Sequence, residues 1–589
     1  MIKEKLDFIK NFREAQNAAE GSKVDANANV TSKDIAVLEA EIFKSDMIKI
    51  NRSLVREKIR EMFGTKVVHD FDNDLDDHLI YIHDETSLKP YCASISLYPF
   101  LLEGTKPLGG TSKAPKNLRS FCGSFCNLVY QVASNLAGAV ATVEFLMYFD
   151  YFARKTYGTD YLRTHLDEIK GELQGVVYTM NQPAAARGNQ SVFWNISVFD
   201  EHYFKSIFGE FFFPDGTQSD YASVRKLQEF FLDWFRVERT KELLTFPVVT
   251  AAYLVDKKTK QPLDDEFIDI LATQMSKGLS FFHYESTSAD SLASCCRLRN
   301  ELADNEFSYT LGAGGVSTGS FQVITINLNR LKQRQAADNG NYYYTIGSTV
   351  NRIHRYLTAY RSLIEDYIRD GFLPIYMAGF ISLEKQFGTI GINGAVEALE
   401  SLNVPKRDWS FCLQEWLGLI KAFNKAANKQ YGYRFNTEFV PAENLGVKNA
   451  KWDKEDGINA PRNCYNSYFY VVEDDSQTIL DRLSAHSSEV SDYLDGGAAC
   501  HLNLEQLPSY DQAVSLIHLA AFMGVPYWTT NVLTTMCKDC GYLNPETKTY
   551  CTECNSKNIE YATRVIGYLK PISSFSKGRQ QEAFKRHYM

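Results

Sequence analysis

The sequence predicts an α/β protein with one large domain, residues 1–530, and two small C-terminal pieces, 531–560 and 561–589. Three observations lead there. Short apolar runs such as Val192–Val198 and Val323–Leu328 alternate with helical stretches around 221–246 and 262–280, the rhythm of parallel strands joined by crossover helices. Cys537, Cys540, Cys551 and Cys554 form two Cys-x-x-Cys knuckles, the spacing of a small metal ribbon. No internal repeat or low-complexity linker divides the chain before that ribbon.

The 589 residues, 44% apolar and 13% aromatic, suffice for a large core or a single big barrel. A net charge of −9 argues against a general nucleic-acid-binding surface, which needs clustered Lys and Arg to displace counterions, so any nucleotide handled is expected to be small. The N-terminal Met1-Ile2-Lys3-Glu4-Lys5-Leu6-Asp7 has no apolar signal region, and a cytoplasmic chain with reduced cysteines is expected. The most apolar stretch, Leu128–Met147, carries Gln131, Ser134, Asn135, Thr142 and Glu144 and reads as a buried helix; no membrane partner is expected.

In chain order, residues 1–60 read as helical apart from 21–29, where Asp25-Ala26-Asn27-Ala28-Asn29 is too polar for a helix core and reads as a loop. Ile80–Asp84 and Pro90–Leu97 alternate as strands, with Cys92 near the start of the second. A lone cysteine there reads first as buried packing. From Asn117 to Gly158, Val129, Val132, Leu136, Val140, Val143 and Met147 recur every three or four residues, so the whole stretch is expected to be helical. Cys122 and Cys126, one turn apart on it, read as packing because no second pair stands near. Asn181–Ser191 reads as a loop leading into Val192–Val198, and Ser294-Cys295-Cys296-Arg297 holds vicinal cysteines, by default a buried pair.

The glycine-rich Gly312–Ser320 is not followed by Gly-Lys-Ser/Thr, nor by an acidic residue at dinucleotide-binding distance, which argues against both phosphate-loop readings. A strand, Val323–Leu328, and an amphipathic helix from Ser348 to Asp370 come next, then glycine-rich Phe387–Gly394 and Pro441-Ala442-Glu443-Asn444-Leu445. By itself Glu443 reads as a solvated acid. Gly496–Leu502 reads as a strand in which Cys500 and His501 are structural.

Four thiolates from the two knuckles complete the closed tetrahedron of structural zinc, and Lys538, Asp539, Gly541, Asn544 and Pro545 supply the turns between them. The ribbon has too little apolar content to fold without its metal; a dithiol redox role is the alternative. Immediately after it, Gly567 can be a strand glycine kept for close backbone approach. It can also carry a carbon-centred radical. With no Cβ, its Cα flattens when a hydrogen is lost, and the amide nitrogen and carbonyl share the unpaired electron.

Arg564-Val565-Ile566-Gly567-Tyr568, near the chain end, resembles the radical loop of the glycyl radical enzymes, and the preceding ribbon together with Pro441–Leu445 narrows the resemblance to the anaerobic, class III ribonucleotide reductases. The resemblance implies a ten-stranded α/β barrel of the glycyl radical enzyme and ribonucleotide reductase type, with Val192–Val198 as its first strand and Gly496–Leu502 as its last, a central finger loop, a zinc ribbon and a C-terminal radical loop. It assigns radical storage to Gly567 and the transient thiyl radical to Cys296 at the finger tip, with Cys295 as the fallback. Cys92 becomes the redox partner, Glu443 a proton carrier near the ribose, and Asn444, Gln190 and Ser191 substrate neighbours. The 117–158 helices are expected at a homodimer interface that binds a nucleotide effector, a dNTP or ATP. A separate activase with a 4Fe–4S cluster and S-adenosylmethionine is expected to create the radical. Many members carry an ATP-sensing cone before this core; only some twenty residues precede it here, so the cone and its dATP control are expected to be missing.

The implied reaction replaces the 2′-hydroxyl of a ribonucleotide, in first place a triphosphate, by hydrogen. Hydroxide leaves poorly from an unactivated carbon, and a radical at C3′ makes its departure feasible; a thiyl can create that radical because S–H and ribose C–H bonds are close in strength. Formate-using members carry an asparagine where Ser320 stands in this sequence. Redoxin-using members would instead close Cys92 and Cys296 into a disulfide each cycle, so the reductant stays open between formate and a redoxin. Two alternatives remain. Other glycyl radical enzymes, of formate acetyltransferase or diol dehydratase type, share the loop but lack the ribbon and the Pro-Ala-Glu-Asn segment. A non-catalytic nucleotide-sensing zinc-ribbon protein would have lost Gly567, Cys296 or the ribbon.

Overall fold

The computed structural model describes the chain except residues 1, 23, 25–32, 185–189, 290, 295–297, 302–316, 441–443 and 565–566. The loop expected at Asp25–Asn29 lies outside the described residues.

Ten strands form the barrel. The first five are β1 (Cys92–Ser94), β2 (Val140–Ala141), β3 (Trp194–Phe199), β4 (Val248–Leu254) and β5 (Phe282–Ser286), all parallel in that order. The second five are β6 (Thr318–Asn327), β7 (Gln386–Asn393), β8 (Arg434–Phe439), β9 (Cys500–Asn503) and β10 (Tyr527–Asn531). They too run parallel to one another, with β8 joined to the β9 segment by a bridge between Glu438 and Gly497. Two antiparallel seams close the ring: β1 on β6, where Cys92 faces Ser320, and β5 on β10, where His283 faces Trp528. A short strand, Ile80–Ile82, flanks β6 from outside this order.

Among the described residues closure leaves these ten strands without a free outer edge, and each strand separates a helix-packed outside from an inside. On β3 the Trp194 ring lies 5.8 Å from Phe125 and 5.3 Å from Phe145 of the surrounding helices Leu118–Ser134 and Phe145–Tyr157. Alternation then turns Asn195 and Ser197 inward. The same face carries Ser94 on β1, Thr250 on β4, Thr389 on β7 and Asn436 on β8, all in register with inward neighbours. The lumen combines these hydroxyls and amides with apolar neighbours in the same register, Val248, Phe282 and Val323. The Ser94 hydroxyl, both ends of the Asn195 amide and the Asn436 Nδ2 have no hydrogen-bond partner among the described residues. Gathered on one inner face, these unpartnered atoms are available to a polar ligand.

Several expectations need correction. The stretch 117–158 is two helices with β2 between them. A two-residue strand is too short to show a period of two, and Leu136, Val140 and Val143 fell by coincidence on the helical spacing. Trp194–Phe199 is the third barrel strand, because the three-residue β1 and two-residue β2 precede it. The Cys500 strand is the ninth; Tyr527–Asn531 is the last. The long helix starts earlier than expected, at Tyr342, where the Asn341 side chain accepts from the Tyr344 N–H at 3.2 Å.

Glu144, entirely buried at the start of the Phe145–Tyr157 helix, accepts from the Leu97 N–H at 2.7 Å through Oε2, while Oε1 is unpartnered among the described residues. Burial raises its carboxyl to about 8. A folded value above the unfolded 4.5 means that the folded chain holds the extra proton between those values; the group's contribution to stability is full below 4.5 and is lost as pH rises through about 8. Glu144→Gln is therefore expected to melt higher than wild type at about pH 8.5 and to lose less stability between about pH 6 and 8.5. Parallel melting curves for the two chains across that range would refute the assignment. Among the described residues no helix is long and apolar enough to cross a membrane.

Candidate active site

The C-terminal cysteines sit on a four-stranded antiparallel sheet of β11 (Thr534–Cys537), β12 (Leu543–Asn544), β13 (Ile559–Arg564) and β14 (Leu569–Pro571), in the order β12-β11-β13-β14. Gly541, at φ +80°, and Asn555, at φ +60°, turn the two knuckles back on themselves. The ligand atoms of Cys537, Cys540, Cys551 and Cys554 all lie within 4.8 Å of one another. Cys537 Sγ is 3.6 Å from Cys554 Sγ, and Cys540 Sγ is 3.6 Å from Cys551 Sγ. Zinc–sulfur bonds of about 2.3 Å in a tetrahedron set sulfur–sulfur edges near 3.8 Å, so the four residues fit zinc. The Cys540 N–H points at Cys537 Sγ and lowers that thiol, toward the thiolate a metal needs. Asp539 ties the knuckles together by accepting from Ser556 Oγ and, at 2.7 Å, from Asn558 Nδ2.

Strand β13 is shared between ribbon and loop. At one end Ile559 pairs with Cys537; at the other Arg564 pairs with Leu569, and Gly567 lies in the turn between, at φ +92°. That backbone region suits glycine and strains other residues. Tyr568 is buried with its ring edge-on to Phe193 at 5.1 Å and 6.0 Å from Phe246. Phe193 in turn packs against the cluster of Cys92 and Ala139. The loop thus meets the barrel where β1 to β4 begin.

Cys92 is 1% exposed, directly across the seam from Ser320. Gly319 makes that seam possible: a Cβ there would stand 2.3 Å from the Cys92 carbonyl oxygen. The Cys92 carbonyl accepts from Gln386 Nε2 at 3.2 Å, and the Tyr376 hydroxyl fixes that amide by donating to Oε1 at 2.6 Å. Ser320 Oγ is 2.8 Å from Thr389 Oγ1 and 3.1 Å from the Phe387 carbonyl, and Thr389 donates to Asn436 Oδ1 at 2.7 Å. A hydroxyl and amide chain therefore runs from Cys92's neighbour into the lumen.

Of the other expected site residues, Cys295, Cys296 and Glu443 lie outside the described residues. Strands Ser291–Ser294 and Leu298–Glu301 pair antiparallel on either side of positions 295–297. Asn444 immediately precedes the helix Leu445–Glu455, which follows β8, and makes no side-chain cap. Gln190 and Ser191 pair with Ala184 and Pro183 just before β3, and the Ser191 hydroxyl donates to the Asn181 carbonyl at 3.0 Å. Gly567, Cys92, Gln190, Ser191 and Asn444 thus come from the end where the first five strands begin and the second five finish. Phe193, Ser280 and Asn531, which hold this end together, were not singled out from sequence; they share no local pattern with the loop and meet it only through the barrel.

A ring of two antiparallel five-stranded halves, a polar lumen and a four-cysteine ribbon that delivers a glycine turn to one mouth define an α/β barrel of the ribonucleotide reductase class. The chain belongs to the anaerobic ribonucleoside-triphosphate reductase family, whose model matches residues 39–588. It is similar to a solved anaerobic ribonucleotide reductase at 26% identity and a TM-score of 0.84, covering 94% of this chain and 90% of that one. It is also similar to the Thermotoga maritima anaerobic ribonucleotide reductase with dATP bound in the specificity site, at 26% identity and a TM-score of 0.83, covering 97% and 94% of the two chains. The same enzyme in complex with dATP and CTP gives 26% identity and a TM-score of 0.82, with 92% and 91% covered. No curated protein matches the sequence. The protein is an enzyme that reduces ribonucleotides to deoxyribonucleotides.

Proposed function

We propose that the protein reduces ribonucleoside triphosphates by a radical that rests on Gly567 and works through a cysteine in the lumen. The observation that carries this reading is the contact chain from Tyr568 through Phe193 to Cys92, which brings the glycine turn to the mouth where the redox cysteine sits. In each turnover Cys296 gives its sulfur-bound hydrogen to the Gly567 radical, and the resulting thiyl takes the 3′ hydrogen of the ribose. The 2′-hydroxyl then leaves as water after gaining a proton, for which Glu443 is the donor. Cys295 is the alternative radical carrier. Ser94, Asn195 and Asn436 offer unpartnered donors and acceptors to the bound nucleotide, beside Gln190, Ser191 and Asn444.

Net reduction of the sugar consumes two electrons and two protons. Cys92 and Cys296 supply them by closing to a disulfide, which a dithiol redoxin reopens, while Cys295 as third thiol gives the hydrogen that returns to C3′ and recovers one from Gly567, restoring the radical. Ser320 supports this choice: its hydroxyl is engaged with Thr389 and the Phe387 carbonyl, and it presents no amide to a formate ion. Zinc, when bound by the four cysteines, supplies cross-linking of the ribbon and no redox chemistry. The dATP in the specificity site of the Thermotoga enzyme supports a nucleotide effector here, at a homodimer interface on the helices Leu118–Ser134 and Phe145–Tyr157. A separate radical S-adenosylmethionine activase would remove the Gly567 hydrogen.

The test is anaerobic turnover of each ribonucleoside triphosphate by activated protein with either formate or a reduced redoxin as the sole reductant. Deoxynucleotide is expected with the redoxin. Product from formate alone would overturn the assignment of Cys92 and the reading of Ser320.

A further inference from the structure

Arg564 is 1% exposed, and no carboxylate pairs with it among the described residues. Its guanidinium donates to three neutral oxygens: Nε to Ser280 Oγ at 2.9 Å, one terminal nitrogen to the Ser280 carbonyl at 2.9 Å, and the other to the Gly567 carbonyl. The backbone around it is pinned as well. Its N–H donates to Asn531 Oδ1 at 3.1 Å, and its carbonyl accepts from Arg586 at 2.6 Å. Arg239, from the helix Tyr221–Lys241, donates to the same Ser280 carbonyl at 3.1 Å and adds a second positive charge nearby. The Phe282 ring lies 5.4 Å from the Arg564 guanidinium carbon.

A buried charge without a counter-ion is expensive, and a neutral glutamine would tether the turn at less desolvation cost. Of the three oxygens the guanidinium holds, the Gly567 carbonyl is the one that adjoins the proposed radical carbon. An α-carbon radical at Gly567 spreads onto the adjoining carbonyl, and electron density then builds on that oxygen. A cation hydrogen-bonded there stabilises the radical form more than the closed-shell glycine.

We propose that Arg564 is a positioning and tuning residue that holds the Gly567 carbonyl and, through its charge, stabilises the glycyl radical. This rests on the assignment of the radical to Gly567. Burial pulls the Arg564 guanidinium down only to about 10, so it stays charged at neutral pH.

The experiment compares wild type with Arg564→Lys, Arg564→Gln and Ser280→Ala after anaerobic activation, measuring spins per chain and the doublet splitting by electron paramagnetic resonance, with zinc content and melting temperature alongside. Arg564→Lys keeps the charge and is expected to hold radical yield within about threefold of wild type, whereas Arg564→Gln drops it about tenfold, the scale of one charged hydrogen bond. The doublet splitting should shift in Arg564→Gln, because less spin reaches the carbonyl. Ser280→Ala, which removes the Oγ that aims the guanidinium, is expected to lose about threefold and keeps the test alive if the glutamine chain fails to fold. Arg564→Gln with wild-type yield and splitting, or lysine and glutamine chains falling equally, would overturn the role of charge. A wild-type chain that gives no doublet overturns the Gly567 assignment instead, and the inference with it.

Discussion

Gly567→Ala is expected to abolish turnover, a loss of at least about 10⁴-fold, with no radical doublet after activation. Two physical effects act together. A Cβ opposes the planarity that the radical needs, and at φ +92° it also strains the resting backbone. The second effect is small, about 1–2 kcal/mol, so the variant is expected to fold, bind zinc and melt within several degrees of wild type. That separation makes the result informative: an inactive but folded chain locates the defect in the chemistry. Air supplies a companion measurement. Activated wild type should be cut at residue 567 on exposure to oxygen, and the alanine chain should stay whole. Full activity in Gly567→Ala would end the radical reading at once.

The second large effect is expected at the ribbon. Cys551 is 2% exposed within the four-thiol cluster, and Cys551→Ser should empty the zinc site and lower turnover by about 100-fold or more. The reason is mechanical. Strand β13 begins against Cys537 and ends at Arg564, whose side chain holds the Gly567 carbonyl. Without the metal cross-link, β11 and the knuckles have no apolar core to keep them, and the turn loses its anchor on one side. The barrel should survive, because its core clusters lie elsewhere. A zinc-free chain with full radical yield and turnover would show that the ribbon does not position the loop.

How far the sequence reaches can be judged from these same residues. The ribbon was legible because four thiolates around one ion demand fixed residue types at fixed short spacings, and such patterns survive in one dimension. Gly567 was legible for a similar reason, since its neighbours Arg564 and Tyr568 lie within three residues of it. The short strands β1 and β2 were not: three and two residues carry too little alternation, and β2 vanished into an apparent helical period. Phe193 and Ser280 gave no signal, because their part in the site depends on contacts across hundreds of residues with Tyr568 and Arg564. Cys295, Cys296 and Glu443 were read from the resemblance and lie outside the described residues.

The sequence by itself determined what is local: a four-cysteine ribbon with the spacing of a metal site, a glycine turn flanked by arginine and tyrosine, and an α/β alternation long enough for one large domain. Only the tertiary structure decided what is joined: that the strands close in two antiparallel halves, that unpartnered polar groups gather on their inner face, that Phe193 links Tyr568 to Cys92, and that a buried guanidinium rests on the Gly567 carbonyl. The physical reason is that spacing along the chain fixes only bonds made between near neighbours. Ring closure and the desolvation of a charge are settled by where distant segments pack.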